Sequence, residues 1–185
     1  MNKLNSVRIL DSWQVEVMRQ IYNENLDSLA TKPLPYRTCA AQQQWWDENK
    51  HSLRAFLYEP TDRPSTFVGF LLLRDRGGFC TPIIALRKEE WGKGYGKELI
   101  NDYLQKSDGP MAGSQLVSNA MICHLNKKAG WRVLGEREEQ NGMVQLLFHP
   151  GLNQTGSISP SVLASILKYL ELDQTKTANS TSHNL

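Results

Sequence analysis

Three glycines occupy alternate positions in the stretch EEWGKGYGKELI, residues 89–100: Gly92, Gly94 and Gly96. An apolar pattern at helical spacing starts directly after them. Glycine loses more backbone entropy on folding than any other residue, so a cluster of this kind marks a chain that must come close to something. A glycine-rich turn that feeds a helix start presents unpaired N–H groups and the positive end of the helix dipole, and both suit a phosphate. Lys93 and Lys97 bring charge that serves either phosphates or solvation. Two familiar phosphate loops are excluded by spacing. The P-loop needs a glycine where Trp91 stands and a Ser or Thr where Glu98 stands, and the dinucleotide fingerprint needs a glycine at Lys97. The plainer alternative, a tight turn whose glycines only permit packing, does not require three in alternation.

The elements that must position this loop follow from hydrophobic periodicity. SVRIL reads as a short strand, and Asp11 or Ser12 caps a helix with Val15, Met18, Ile21 and Tyr22 on one face. TKPLPY cannot continue it, because proline lacks an N–H and restricts its neighbour. A second helix opens at Thr38. LRAFLYE, TFVGFLLLRD and GGFCTPIIALR read as three strands, with Pro82 implying an edge, a bulge or a splay. After the glycines come a helix with Leu99, Ile100, Tyr103 and Leu104, a short strand SQLV, and a helix NAMICHLNKKAG with apolar Met121, Ile122 and Leu125 and Gly130 at its end. Two strands flank an EEQN turn. ISPSVLASILKYLEL predicts a final helix, and DQTKTANSTSHNL has the composition of a disordered tail.

Composition bounds the class. The 185 residues suit one domain, and 40% hydrophobic with 22% charged is ordinary for a globular protein. No apolar run nears the roughly 20 residues that cross a bilayer, and the N-terminus lacks a signal-peptide core, so a cytoplasmic location is expected. Cys39, Cys80 and Cys123 have no metal-type spacing, and a net charge of +2 without charge blocks argues against nucleic acid.

LRKEEWGKGYGKELI resembles the acyl-CoA-binding signature of the GNAT superfamily of N-acyltransferases, Gln/Arg-x-x-Gly-x-Gly/Ala. Gly94 and Gly96 stand at its glycines, and Trp91 departs from its Gln/Arg. The family's second marker, an Asn followed by a helix ending in Lys-x-Gly-Phe, is matched by Asn119, Lys128, Gly130 and Trp131 at a suitable distance. The resemblance covers residues 5–149. It implies an α/β (α+β) fold: a mixed, mostly antiparallel twisted sheet of about six to seven strands, with helices on both faces and an added C-terminal helix. Residues 1–150 would form this domain, 151–173 a helical extension and 174–185 a tail. It also implies acetyl-CoA as co-substrate, with no metal. The pantetheine arm would lie in a V-shaped splay between the fourth and fifth strands, against the backbone of Ile84 and Leu86. The rest of the coenzyme would meet Trp91, Gly92, Lys93, Gly94, Tyr95, Gly96 and Lys97, with Asn119 as cap, coenzyme contact or both.

Acetyl transfer needs a neutral amine, a polarised thioester carbonyl and a proton for the thiolate. The family often supplies that proton from a Tyr seven residues beyond the Asn, and here that position is Asn126. His124 is near in sequence but about 200° away on the helix. The family's carboxylate on the strand before the loop is absent, and Glu89 and Glu90 read as solvated. Direct attack is therefore the expected route, ahead of one through Cys80 or Cys123. For the acceptor, one of Trp45 and Trp46 plugs the core, and the other lines the acceptor pocket with Tyr36. An amino sugar, a nucleotide-linked or small amine, or a peptide amine all suit such a wall. The C-terminal helix docks on its own domain, closes that pocket or makes a homodimer contact. The alternative function is a catalytically silent CoA-binding sensor or regulatory module, which the missing Tyr and Glu favour.

Overall fold

The computed structural model describes residues 3–29, 34–152 and 158–178. Seven strands form one sheet in the order β1-β2-β3-β4-β5-β7-β6. They are β1 (Leu4–Arg8), β2 (Leu53–Pro60), β3 (Gly69–Asp75), β4 (Cys80–Leu86), β5 (Met111–Leu116), β6 (Arg132–Glu139) and β7 (Gly142–His149). Every neighbouring pair is antiparallel except β4 and β5, which are parallel and meet at a single pair, Cys80 with Met111. Past that pair the two strands diverge, as expected of the fourth and fifth strands.

Alternation of side chains sorts the sheet into two faces. On one lie α4 (Tyr95–Lys106) and α5 (Ala120–Lys128), packed over Leu71, Leu73, Cys80 and Met111. On the other lie α1 (Ser12–Glu24), the short α2 (Leu26–Leu29) and α3 (Cys39–Asn49), packed over Leu57, Phe70, Leu72 and Ala85. Beside them α6 (Pro160–Ala178) buries Ile166 and Leu170 against Phe79, Ala112 and Phe148. The four apolar residues read on α1 are all buried, each stabilising by roughly 1.5–3 kcal/mol. Gln14 accepts the N–H groups of Leu10 and Asp11 at 2.7 and 3.0 Å, and Thr38 accepts that of Ala41 at 3.2 Å, which sets the starts of α1 and α3.

Four readings change. β5 starts at Met111 rather than Ser114, because Gly113, which weakens a strand on sequence alone, leaves room for the Trp131 ring 3.9 Å from its virtual Cβ. The core-facing stripe of α5 is buried Asn126 with half-buried Ile122, Leu125 and Ala129, whereas Met121 faces solvent. β6 continues through Glu138 and Glu139, which narrows the EEQN turn to its last two residues. α6 extends to Ala178, since no breaker follows Asp173; residues 179–185, like Thr31–Pro33 of the proline segment, lie outside the described residues.

Candidate active site

The parting of β4 from β5 leads directly into the glycine loop. The Cys80 N–H reaches across to the Pro110 carbonyl at 2.9 Å, so by strand alternation Pro82, Ile84 and Leu86 direct their backbone polar groups the same way, into the gap. Pro82 has no N–H to leave unpaired there, which explains a proline inside a central strand. Among the described residues Ile84 has no strand partner on that side, while the Leu86 carbonyl is engaged by the Asn25 amide at 2.9 Å and the Trp91 indole N–H at 3.1 Å. Trp91 thus ties the loop back to the end of β4. No local signal in the sequence marks Asn25, which lies 61 positions away.

The three glycines have separate reasons. Gly92 and Gly94 hold φ of 80° and 90°, a region that side chains strain to adopt. Gly96 is helical, and a Cβ there would come within 3.2 Å of Leu125, so it lets α4 approach α5. Gly94 caps α4 without a side chain, which leaves the first N–H groups of the helix uncovered by any cap.

Glu90 is a correction: its side chain is 4% exposed, not solvated. Arg63 donates to both of its oxygens at 3.1 and 3.0 Å, and Lys93 sits 2.9 Å from one of them. Arg63 also reaches the Tyr95 hydroxyl at 3.3 Å, so one guanidinium joins the β2–β3 turn to both ends of the loop. Hydrogen bonding from Arg63 holds the Glu90 carboxyl below the usual carboxylate range, against the upward pull of burial. Lys93 is therefore shared with Glu90, whereas Lys97 is exposed with no partner among the described residues.

On α5, Asn119 caps the helix by accepting the Ile122 N–H at 3.3 Å. Asn126 is 8% exposed, donates to Gln115 at 2.7 Å and accepts from the Tyr103 hydroxyl at 3.3 Å. That hydroxyl takes the Trp131 indole N–H at 2.6 Å, and Gln115 donates on to Gln145. Burial pushes the Tyr103 phenol up, and this chain keeps it satisfied. His124 projects from the opposite, exposed side of α5. The buried histidine is His149, which accepts from the Gly151 N–H and places Nε2 3.1 Å from the Ala129 carbonyl; burial lowers its pKa. Cys80 and Cys123 are both pushed up by burial, so each is a thiol at neutral pH.

Thr81, Ile83 and Ala85 face the α1–α3 side of the sheet, opposite Arg74, Leu72 and Phe70, and none is a carboxylate. Ile83 is 41% exposed there, an apolar floor left uncovered beside the gap. Trp46 is buried in the core. Trp45 is half-buried between two guanidiniums, Arg37 at 4.8 Å and Arg74 at 5.8 Å from its ring centre. Tyr36 is 67% exposed, and its hydroxyl lies 3.5 Å from an Arg19 nitrogen; it shares no contact with Trp45 among those described.

The model of the acetyltransferase (GNAT) family matches residues 15–130, the span that holds this loop and both of its strands. The chain belongs to that family. It is an acyl-CoA-dependent acetyltransferase, and enzymes of the family use acetyl-CoA. Among solved structures it is similar to spermidine N-acetyltransferase from Vibrio cholerae in complex with CoA and spermine, with TM-score 0.69, 17% identity, and coverage of 80% of this chain and 96% of that one. A dodecameric structure of the same enzyme gives 0.65, 17%, 83% and 99%, and one with manganese ions gives 0.64, 18%, 80% and 92%. At that identity the likeness is one of fold. A search of curated proteins finds no match. Among the described residues no helix is long and apolar enough to cross a membrane, and no cluster of His, Cys, Asp and Glu could hold a metal.

Glu90→Gln should lower the Tm at pH 7 by about 3–6 °C, because an amide cannot accept from both Arg63 nitrogens and Lys93. The folded pKa of Glu90 is depressed, so its contribution is present above the unfolded value and is lost as pH falls through the folded one. Thermal melts should therefore converge for the two proteins as the pH is taken below the ordinary carboxylate range. An equal gap at pH 7 and below that range would show that the charge plays no part.

Proposed function

We propose that the chain moves an acetyl group from acetyl-CoA to a primary amine by direct attack. The pantetheine arm lies between β4 and β5 against Ile84, and the pyrophosphate meets the amides of residues 91–96. The observation that carries this is the parting of the two parallel strands immediately before an uncapped glycine loop. The open Ile84 backbone supplies the pairing that β5 no longer gives, and the Leu86 N–H extends it. Asn119 has its oxygen committed as a cap, which leaves its amide N–H groups for the coenzyme.

In the reaction the amine nitrogen attacks the thioester carbonyl carbon, the C–N bond forms, and the C–S bond breaks. One proton leaves the nitrogen and one reaches the departing sulfur, so the products are an amide and a free thiol. Asn126 cannot give that proton, and its amide is occupied by Gln115 and Tyr103. His124 is on the surface, and both cysteines are held as thiols. Solvent or a group on the acceptor therefore moves the protons, and positioning supplies the rate. A CoA-binding module without turnover is the second reading, favoured by the absence of a carboxylate on the exposed side of β4. Thiol release with a panel of amines separates the two.

Gly94→Val places a branched side chain at a positive φ, and calorimetry should show CoA binding lost in a protein whose circular dichroism is unchanged. Unchanged affinity in a folded variant would misplace the site.

At low amine concentration the rate should rise with pH toward the amine's own pKa, with no limb near 6.5, the reference value for His. His124→Ala should stay within about tenfold of the parent, equivalent to ~1.4 kcal/mol of barrier. Cys80→Ala and Cys123→Ala should remain active. A thousandfold loss in folded His124→Ala, or acetyl trapped on either cysteine, would replace direct attack with acid–base or two-step chemistry.

A further inference from the structure

Seven arginines are half-buried among the described residues. Five of them, Arg19, Arg54, Arg63, Arg87 and Arg137, are paired with carboxylates. The other two, Arg37 and Arg74, are the pair that sandwich Trp45. Arg37 stacks 4.2 Å from the Tyr22 ring centre and donates to the Gln42 amide oxygen at 2.9 Å. Arg74 donates to the Asn49 amide oxygen at 2.8 Å. Neither has an acidic partner among the described side chains. A third guanidinium, the exposed Arg76, lies 5.1 Å over the ring of Tyr169 from α6 and has no carboxylate partner among the described side chains. Burial first, and then the charges of Arg76 and Arg37, lower the Arg74 pKa against an upward pull from Tyr169.

A fold that neutralises its other half-buried arginines has left Arg37 and Arg74 without counter-ions among the described side chains. Holding such cations partly out of water is costly unless an anion arrives, and the planar guanidinium fork suits an oxyanion in particular. The cluster has a definite place. Arg74 stands opposite Thr81 on the face that carries exposed Ile83, one residue beyond the pair where β4 and β5 part. The aromatic surfaces of Trp45 and Tyr169 would flank a ligand there, and the three guanidiniums would repel a polycation.

We propose that Arg37, Arg74 and Arg76 bind an oxyanion, a carboxylate or a phosphate, borne by the same molecule as the amine to be acetylated. The acceptor is thus an anionic amine such as an amino-sugar phosphate or an amino acid, and not a polyamine. Its place beside the thioester rests on the acetyl-transfer reading above, but its affinity does not.

Calorimetry on the CoA-loaded full chain tests it with matched ligands: glucosamine 6-phosphate against glucosamine, and glutamate against its diamide, with spermidine alongside. The phosphate pair and the carboxylate pair tell the two oxyanions apart. In at least one pair the anionic member should bind about tenfold tighter or more, with the difference shrinking as salt rises. Arg74→Gln should erase that preference, Arg74→Lys should keep part of it, and the CoA affinity of both should match the parent. If the anionic member is tighter in neither pair, or spermidine binds best, or Arg74→Gln leaves the preference intact, the proposal is overturned. Thiol release is measured separately: anion binding without release would count against acetyl transfer, not against the oxyanion site.

Discussion

β4 and β5 are joined by one pair of residues where an ordinary parallel ladder would run their whole length, and the rest of the molecule is organised around keeping them apart. A parted strand in a sheet interior exposes polar backbone, which is tolerated only where something else satisfies it. Pro82 removes one N–H from the exposed side, and Asn25 with Trp91 covers the Leu86 carbonyl. What remains open is a short run around Ile84. The two helices that follow the parted strands, α4 and α5, are brought together on one face by Gly96, so both helix starts lie on the side toward which the strands open.

The interior beneath the gap is polar and fully engaged. Trp131, Tyr103, Asn126, Gln115 and Gln145 form a line of donors and acceptors in which each has a partner. Such a line fixes side-chain orientation at the cost of reactivity: an Asn with both ends committed positions its neighbours, and a deeply buried phenol resists ionisation. Asn126 is such a structural amide, held by Gln115 on one side and Tyr103 on the other. On the opposite face of the sheet Arg37 and Arg74 stand on either side of Trp45.

Much of this was legible in the sequence because local rules produce it. The glycine alternation, the caps at Asp11 and Thr38, the α1 face and the proline in β4 each follow from the residue and its near neighbours. The rest depends on contacts that no window contains. Glu90 reads as a loop carboxylate until Arg63, 27 positions earlier, folds onto it. Asn126 reads as a missing catalyst until Tyr103 and Gln115 are placed beside it. Gly113 hid the start of β5 because its reason is the Trp131 ring, contributed by the residue after α5. The arginines around Trp45 look like any surface charges until the carboxylates are seen to lie elsewhere.

We propose that the gap beside Ile84 receives the coenzyme as an added strand would. Amide hydrogen exchange along β4, measured with and without saturating CoA, tests it at single residues. Thr81, Ile83 and Ala85 direct their N–H groups to β3 and should exchange slowly in both conditions, while Ile84 should exchange fast alone and slow markedly when CoA is present. An Ile84 amide that exchanges at the same rate with CoA bound would place the coenzyme elsewhere.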